Sequence, residues 1–385
     1  MEKKKVCIVT GSRSEYGILK LIIEKIEASK KLDLLLFVTG MHLLKRYGNT
    51  IDIIRKNGII IDKIIPMYEE NEFNREKLGN AVGKAIINFT KAFIEFNPDL
   101  LLVLGDRYEA LAAVIAASTI SLPIAHIHGG DISGSIDDSI RHAITKFSHV
   151  HFPSTLKSKK RILLLGEDES RVFVFGSPAI DAIYSYILLN KEDICKKFEF
   201  DINKKLILCV QHPNTFESQH AGEQMKLTLQ ILKDLNLNTV IIYPNNDPGS
   251  ELIINEIEKN RDISYFKIFK NLERIDYLSL LKNADLLIGN SSSGKIESPI
   301  FKLPVVNIGD RDKDRESAEN VIDVPHEYNK IKNAVLKGLS DNFKAFCRSV
   351  KNPYGDGNAS NKIVKTLEDL QITKEFVTKK LKFKV

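Results

Sequence analysis

Residues 5–28, KVCIVTGSRSEYGILKLIIEKIEA, decide the fold of this chain. The apolar run at residues 6–9 is short, continuous and rich in β-branched side chains, which is typical of a parallel strand buried on both faces. A turn at Gly11 follows, and apolar residues at helical spacing then predict an amphipathic helix over Tyr16–Ala28. A strand that leads into a helix begins a right-handed βαβ unit, so the stretch predicts a doubly wound α/β sheet.

The strand–helix pattern repeats along the 385-residue chain and starts again in its second half. The first half has predicted strands at Lys5–Thr10, Leu34–Val38, Ile59–Ile65, Leu100–Leu104, Pro123–Ile127 and His149–Phe152. The second half has predicted strands at Leu206–Gln211, Thr239–Tyr243, Tyr265–Ile268, Leu286–Ile288 and Val305–Ile308. We therefore expect two Rossmann-like domains that face each other across a cleft, with ligands beyond the carboxyl ends of the strands.

Composition and charge describe a globular protein of a reducing compartment. Hydrophobic residues make up 43% of the chain and charged residues 28%, and 56 Lys and Arg against 50 Asp and Glu leave a net charge of +6. This small, dispersed excess does not predict a nucleic-acid partner. The four cysteines lack the spacing of a zinc site or a disulfide framework. No apolar run is long enough for a signal peptide or a membrane span, so we expect a soluble, cytoplasmic protein without a membrane partner.

Two segments after predicted strands place arginines where an anion could bind. Gly11–Gly17 has glycines for a tight turn and Arg13 at a helix entrance, but the absence of G-x-G-x-x-G argues against NAD or FAD. Asp310–Asp314 begins like a calcium loop, yet Arg315 replaces the required glycine. Calcium is therefore not expected, and Arg311 and Arg315 are candidate contacts for an anion or a pyrophosphate.

A third segment, Gly289–Lys295, fits the pattern G-x-x-x-x-G-K. Ile296 replaces the Ser or Thr that holds magnesium in an ATP-binding P-loop, so we reject that interpretation. What remains is a helix start preceded by hydroxyl groups, which is a favourable place for an anion. Ser291 and Ser292 are expected to bind a pyrophosphate, and Glu297 to accept hydrogen bonds from ribose or sugar hydroxyls.

Acidic and histidine side chains follow consecutive predicted strands of the first half. The strand ends are expected to direct these groups into one crevice: Asp106, His128, Asp131, and Asp137 or Asp138. Neighbouring carboxylates in a closed site push their pKa values apart, so the set suits proton transfer. His126 and His128 with Asp131 also have the composition of a metal triad. Lone histidines are more often structural, and we expect no metal.

The opposite wall of the expected cleft also has polar strand ends. Val210–Asn214 ends the first strand of the second half, and Tyr243–Asp247 ends the second. Their His212 and Asn245 are expected to reach into the cleft. A histidine there is either neutral and donating or charged against a phosphate.

Together these segments resemble the hydrolysing UDP-N-acetylglucosamine 2-epimerases of the sialic and legionaminic acid pathways. The likeness extends from Val6 to Ala359 and is carried by GDR at 105–107, HIHGG at 126–130, IDDSIRHAITK at 136–146, QHP at 211–213, GNSS at 289–292 and YGDGN at 354–358. It implies a GT-B-like fold in which residues 1–178 and a returning C-terminal helix, 365–385, form the first domain. Residues 179–364 would form the UDP-binding domain. It also implies a homodimer or homotetramer and no cofactor.

The resemblance assigns roles to individual positions. Its nucleotide-sugar contacts fall on Arg13, Gly17, Arg107, His212, Asn245, Ser291, Ser292, Glu297 and Arg311. Its catalytic carboxylates match Asp106 and Asp137. Many members have Glu where this chain has His128, which leaves His128 and Asp131 as alternative acceptors of the substrate proton.

The reaction that the resemblance implies joins elimination to hydration. UDP-N-acetylglucosamine and water would give N-acetylmannosamine and UDP through a 2-acetamidoglucal. The same family contains hydrolysing enzymes for UDP-N,N'-diacetylbacillosamine, which is the nearest alternative substrate. A non-hydrolysing epimerase, a GT-B glycosyltransferase and a non-catalytic UDP-sugar binding protein are further alternatives, and the HGG and IDDSIRHAITK segments favour the hydrolysing branch.

Overall fold

The structure, a computed structural model, describes residues 3–45, 48–69, 75–132, 136–244, 249–311 and 314–382. It divides the chain into two compact units. Unit 1 comprises Met1–Tyr184 and Tyr354–Val385, and unit 2 comprises Ser185–Pro353. The chain therefore leaves unit 1 later than the expected position 178 and returns to it earlier than the expected position 365.

A parallel sheet forms the centre of unit 1. Its described strands are β1 (Lys4–Thr10), β2 (Leu32–Thr39), β3 (Lys63–Ile65), β4 (Leu100–Leu104), β5 (Ile124–Ile127) and β6 (Val150–Phe152), in the order β3-β2-β1-β4-β5-β6. All neighbouring pairs are parallel. β3 is shorter than the predicted strand 59–65. Before it, the Asp62 carboxylate accepts from the Leu36 N–H at 2.7 Å, where a continued strand would offer a backbone carbonyl.

Helices cover the unit 1 sheet before the chain crosses into unit 2. They are α1 (Arg13–Glu27), α2 (Ile51–Lys56), α3 (Arg75–Phe96), α4 (Tyr108–Thr119), α5 (Ile136–Phe147), α6 (Leu156–Leu164) and α7 (Pro178–Tyr184). α1 begins after Ser12, whose Oγ accepts a hydrogen bond from the Glu15 N–H at 3.4 Å. Its buried face, which includes Leu19 and Ile22, packs in the core with β1 and β2. This packing fixes the start of α1 just beyond the end of β1.

Unit 2 repeats the architecture. Its described strands are β7 (Leu206–Val210), β8 (Asn238–Ile242), β9 (Phe266–Phe269), β10 (Leu286–Gly289), β11 (Val305–Ile308) and β12 (Val321–Val324), in the order β12-β11-β10-β7-β8-β9. Neighbouring strands are again parallel. Its described helices are α8 (Lys191–Phe198), α9 (Ala221–Leu235), α10 (Ser250–Glu258), α11 (Arg274–Asn283), α12 (Ser293–Ile296), α13 (Tyr328–Gly338) and α14 (Asp341–Ser349).

The returning chain forms α15 (Ala359–Asp369) and the short α16 (Lys374–Val377) on unit 1. The predicted helix 365–385 thus begins earlier and is broken in two. Its start is fixed by the Asp181 carboxylate, which accepts hydrogen bonds from the backbone N–H groups of Ala359 and Ser360 at 3.1 and 2.5 Å. Among the described residues, none of the helices has the length and apolar character needed to cross a membrane.

Strand order reverses at one central pair in each sheet. In unit 1 the reversal lies between β1 and β4, and in unit 2 between β7 and β10. Ligands of open α/β sheets bind beyond the carboxyl ends of the strands at such positions. The fold therefore directs attention to the loops that follow these four strands.

Candidate active site

A buried arginine contacts acidic residues from three segments of unit 1. The Arg141 side chain of α5 is only 6% exposed and contacts the carboxylate of Asp106, which follows β4. Its Nη1 donates to Asp138 Oδ1 at 2.6 Å and to the main-chain oxygen of Asp131 at 2.7 Å. One guanidinium therefore joins the loop after β4, the loop after β5 and the first turns of α5.

The surroundings of Asp106 favour its protonated form. Burial raises the pKa of Asp106, Arg141 counters this, and the neighbouring Asp137 raises it again, with a net increase. A carboxyl whose proton affinity is raised by burial and by a second carboxyl is suited to proton transfer. The structure thus brings Asp106, Asp137 and Asp138 close together.

His126 is a structural residue. Its Nε2 lies 2.7 Å from the carbonyl oxygen of Gly105 and its Nδ1 lies 3.2 Å from Thr145 Oγ1. Because a carbonyl only accepts, Nε2 carries the proton and Nδ1 accepts from the threonine. Burial lowers the pKa of His126 to about 3, so the ring stays neutral. Both ring nitrogens are engaged, and the metal triad with His128 and Asp131 is not formed; the described residues contain no cluster of three metal-ligating side chains.

His128 and Asp131 lie on one loop but have different surroundings. His128 directly follows β5 with φ +64°, a left-handed conformation that is unusual outside glycine, and its Nε2 lies 2.8 Å from Ser177 Oγ. Asp131 Oδ1 accepts a hydrogen bond from Ser158 Oγ of α6 at 2.6 Å. Arg161, also of α6, donates to the carbonyl of Gly130 at 3.0 Å. Helix α6 therefore holds the loop and engages one oxygen of Asp131.

The remaining predicted contacts of unit 1 lie at the ends of β1 and β4. Arg13 and Gly17 are exposed in the first turns of α1. Gly17 has open space around the position of a side chain, so packing does not require glycine there. Arg107 directs Nη2 and Nε to the Glu109 carboxylate at 3.0 and 3.2 Å. The Arg107 side chain is 33% exposed.

In unit 2, Asn290 links the ends of β7 and β10. Its Oδ1 accepts from the His212 N–H at 2.7 Å, and its Nδ2 donates to the His212 carbonyl at 2.9 Å. The preceding Gly289 has φ +130°, and any side chain there would collide with the carbonyl of Val210. Arg311 Nη1 donates to the Asn290 carbonyl at 3.3 Å. The predicted residues His212 and Arg311 are thus brought to one point, and Asn290, which was not predicted, connects them.

The serine turn of unit 2 leads to a buried carboxylate. Ser291 Oγ lies 3.1 Å from Ser293 Oγ, which also contacts the Tyr277 hydroxyl. Glu297 forms an ion pair with Arg274 through Oε1, while Oε2 is buried without a hydrogen-bond partner among the described residues. An unpartnered buried acceptor is costly, and it suits a ligand hydroxyl group.

Asn245 lies outside the described residues. Three side chains that organise the two sites were missed from the sequence: Arg141, Asn290 and Arg274. Arg141 carries a readable signal, since its spacing from Asp137 and Asp138 puts all three on one face of a helix. Asn290 and Arg274 carry none, because their partners come from distant parts of the chain.

Known proteins share this arrangement of strands. Residues 24–368 match the family model of UDP-N-acetylglucosamine 2-epimerase. The chain belongs to this 2-epimerase family. Its membership confirms the family expected from the sequence.

Two curated relatives match this 2-epimerase family member over nearly their whole length. The UDP-N,N'-diacetylbacillosamine 2-epimerase (hydrolyzing) of Legionella pneumophila is 36% identical over 376 residues, 98% of each chain. The GDP/UDP-N,N'-diacetylbacillosamine 2-epimerase (hydrolyzing) of Campylobacter jejuni is 40% identical over 370 residues, 95% of each chain.

A solved member of the family has the same fold. The crystal structure of UDP-GlcNAc 2-epimerase from Neisseria meningitidis bound to UDP-GlcNAc matches with a TM-score of 0.78 at 22% identity, covering 95% of this chain and 100% of that one. With the two parallel sheets, this similarity confirms the predicted GT-B-like α/β class of two Rossmann-like domains.

Proposed function

We propose that this family member is a hydrolysing 2-epimerase, which converts a UDP-linked 2-acetamido sugar and water to UDP and the free 2-epimer. The observation that carries the proposal is the buried Arg141 guanidinium, which contacts Asp106 close to Asp137. Epimerisation at C2 removes a proton from one face of the sugar and returns one to the other. It therefore needs acid–base groups held close together with different proton affinities.

The reaction proceeds in two stages that balance without a redox cofactor. In the first, a base takes the proton from C2, the released electron pair forms the C1–C2 double bond, and UDP departs with the electrons of the C1–O bond. In the second, a water oxygen bonds to C1 and loses a proton to a base, while C2 takes a proton on the opposite face. Substrate and water thus give UDP and the free 2-epimer.

We assign the proton transfers to His128, Asp106 and Asp137. Asp131 is the weaker candidate for the C2 proton, because Ser158 engages its Oδ1 at 2.6 Å and Arg141 holds its carbonyl. We give Asp131 the role of fixing the loop that presents His128. Asp106, whose pKa is raised by burial, suits the donor that returns a proton.

We assign the nucleotide to the strand ends of unit 2. Ser291, Ser292 and Arg311 provide donors for the charge that develops on departing UDP. The partnerless Glu297 Oε2 supports a hydrogen bond from a ribose hydroxyl. His212, which directly follows β7, is a further contact. Arg13, Gly17, Arg107 and Asn245 remain proposed contacts on the strength of the motif match.

UDP-N,N'-diacetylbacillosamine is our first candidate substrate. Two relatives that match over 95% or more of both chains, at 36% and 40% identity, carry its name. UDP-N-acetylglucosamine, the substrate first expected from the sequence, is the second candidate and is supported by the name of the family model. The two sugars differ at C4, where the first has an acetamido group, and at C6, where the first lacks the hydroxyl group.

Incubation with each UDP-sugar separately tests the proposal. Proton NMR should show release of UDP together with a free sugar of manno configuration, faster for the diacetamido substrate. An epimer still attached to UDP would indicate a non-hydrolysing enzyme. Tight UDP binding without sugar release would indicate a binding protein, and either outcome would refute the proposal.

The Asp106→Asn variant separates chemistry from binding. It should lose sugar release while UDP binding in unit 2 persists, because the substitution removes an ionisable group without changing its size. Asp369→Asn is the matched control, since Asp369 forms an exposed ion pair with Lys31 at 3.2 Å and such pairs contribute little. Near-normal turnover by Asp106→Asn would contradict the assignment of Asp106 to the proton transfers.

A further inference from the structure

A buried charge cluster lies beside the proposed catalytic residues and has no part in the proton transfers. It consists of Glu15, Tyr68, Arg107 and Glu109, here called the Arg107 cluster. The Glu109 side chain is 1% exposed and that of Glu15 is 10% exposed. Two carboxylates around one guanidinium are a costly arrangement inside a protein, and apolar residues of similar size are often as stable.

Glu109 accepts hydrogen bonds from Arg107 with both carboxylate oxygens. The two parallel contacts, at 3.0 and 3.2 Å, fix the plane of the guanidinium. The backbone at Gly11 packs directly on Glu109, because a side-chain carbon there would lie 2.8 Å from Glu109 Cγ. The glycine of the first motif is thus explained by close packing on this carboxylate.

Glu15 ties the same guanidinium to the other loop. Its Oε2 accepts from the Gly11 N–H at 2.9 Å and from Ser12 Oγ at 3.3 Å, and it lies 3.8 Å from Arg107 Nε. The loop after β1 and the loop after β4 are therefore connected through one cation. Arg13 lies in the first loop and Asp106 in the second.

The charges of the cluster depend on one another. Burial raises the pKa of Glu15 to about 7, Glu109 adds to this, and Arg107 opposes it. Burial also raises the pKa of Tyr68, which hydrogen-bonds to Glu109. Two further titratable groups interact with the charge of Arg107. Burial lowers the pKa of His42 to about 4, while burial raises the pKa of Asp106 and Arg107 is among the groups that oppose that increase. Arg107 is thus the cation on which both buried carboxylates depend.

We propose that Glu109 and Glu15 are positioning residues that act through Arg107 to hold the loops after β1 and β4 in one fixed arrangement. The inference rests on the proposed function, since Arg13 and Asp106 have their roles from it. Displacing a reacting group by about 1 Å is enough to cost up to about 100-fold in rate. A positioning role accounts for a costly buried cluster next to the loop that carries Asp106.

A double-mutant cycle on UDP release tests the pathway through Arg107. Glu109→Gln should lower kcat by about tenfold or more with a smaller change in KM, because the loops lose their fixed arrangement. Combined with Arg107→Gln, it should cause no loss beyond that of Arg107→Gln alone. Unchanged kcat in Glu109→Gln, or losses that multiply in the double variant, would overturn the proposal.

Hydrogen–deuterium exchange separates this proposal from the proposed function. Glu109→Gln should speed amide exchange in residues 11–13 and 105–107 together, even if the wild type released no sugar from any UDP-sugar. Glu95→Gln is the control, since Glu95 pairs with Lys63 at 2.6 Å on the exposed side of α3. Faster exchange in only one loop would overturn the positioning role. If Glu109→Gln fails to fold, kcat for UDP release and amide exchange in the two loops are measured on Tyr68→Phe instead. Unchanged values of both quantities in Tyr68→Phe would also overturn the proposal.

Discussion

Arg141→Gln removes the cation around which the acidic residues of unit 1 are arranged. The wild-type guanidinium contacts Asp106, donates to Asp138 Oδ1 at 2.6 Å and donates to the Asp131 carbonyl at 2.7 Å. Glutamine retains a short polar side chain but has no charge to oppose the carboxylates. The substitution therefore changes both the stability of unit 1 and the proton affinity of Asp106.

Both effects have a sign and a size. Removing one partner of a buried ion pair costs about 3–5 kcal/mol in the free energy of unfolding, because the other charge stays buried. Burial and Asp137 raise the pKa of Asp106, and Arg141 opposes them. Deleting the opposing charge removes the largest influence that lowers that pKa, so the pKa of Asp106 rises further. The limb of the pH–rate profile that Asp106 controls should therefore move to higher pH.

The assay is kcat/KM for UDP release between about pH 5 and pH 9, together with urea unfolding. Arg141→Lys retains a charge without the planar fork and should show a smaller shift. Lys159→Gln is the matched control, because it removes only a surface contact with the exposed Glu169 at 2.8 Å. A profile of Arg141→Gln that superimposes on that of the wild type would refute the coupling between Arg141 and Asp106.

Three other outcomes are expected. Glu297→Gln should weaken UDP binding about tenfold by calorimetry, because the buried Oε2 then has no charge to offer a ribose hydroxyl; equal affinity would contradict that contact. Lys379→Met should lower the free energy of unfolding by about 3–5 kcal/mol, because its Nζ lies 2.7 Å from the buried Glu167. Burial raises the pKa of Glu167, but its hydrogen-bond partners outweigh burial and hold the pKa at about 2. The wild type should therefore lose the stability that ionised Glu167 contributes as pH falls from 4.5 toward 2. Identical acid unfolding of the wild type and Lys379→Met would contradict this. Glu15→Gln should stabilise the protein by up to about 3 kcal/mol at pH 8 and by less at pH 5. Burial raises the pKa of Glu15 from 4.5 to about 7, so ionising Glu15 at higher pH destabilises the folded state. The same change in unfolding free energy at both pH values, measured in urea, would count against this.

The fold could be predicted wherever both faces of a strand are buried. Leu100–Leu104 is fully buried, so its apolar run is continuous and predicts a strand from the local sequence alone. β12 (Val321–Val324) was missed because it is a half-exposed edge strand that contains Asp323. The start of α15 was missed because Asp181, 178 residues away from Ala359, supplies the acceptor for its first N–H groups.

The acidic site could be predicted in part, because the ends of buried strands can be located from the sequence. Asp106, His128 and Asp131 lie in the loops that follow the buried strands β4 and β5, where the sequence predicts them. Their protonation and their hydrogen-bond partners could not be predicted, since these depend on Arg141 and on Ser158 of α6. Contacts between separate elements have no local sequence signal.

One single-turnover measurement tests hydrolytic epimerisation most directly. The reaction is run in D2O enriched in ¹⁸O with whichever UDP-sugar the protein turns over, and both products are analysed by mass spectrometry and NMR. We predict one deuterium at C2 of a free manno-configured sugar and no ¹⁸O in UDP, because the C1–O bond breaks. Free sugar without deuterium at C2, or ¹⁸O in the released UDP, would contradict elimination followed by hydration.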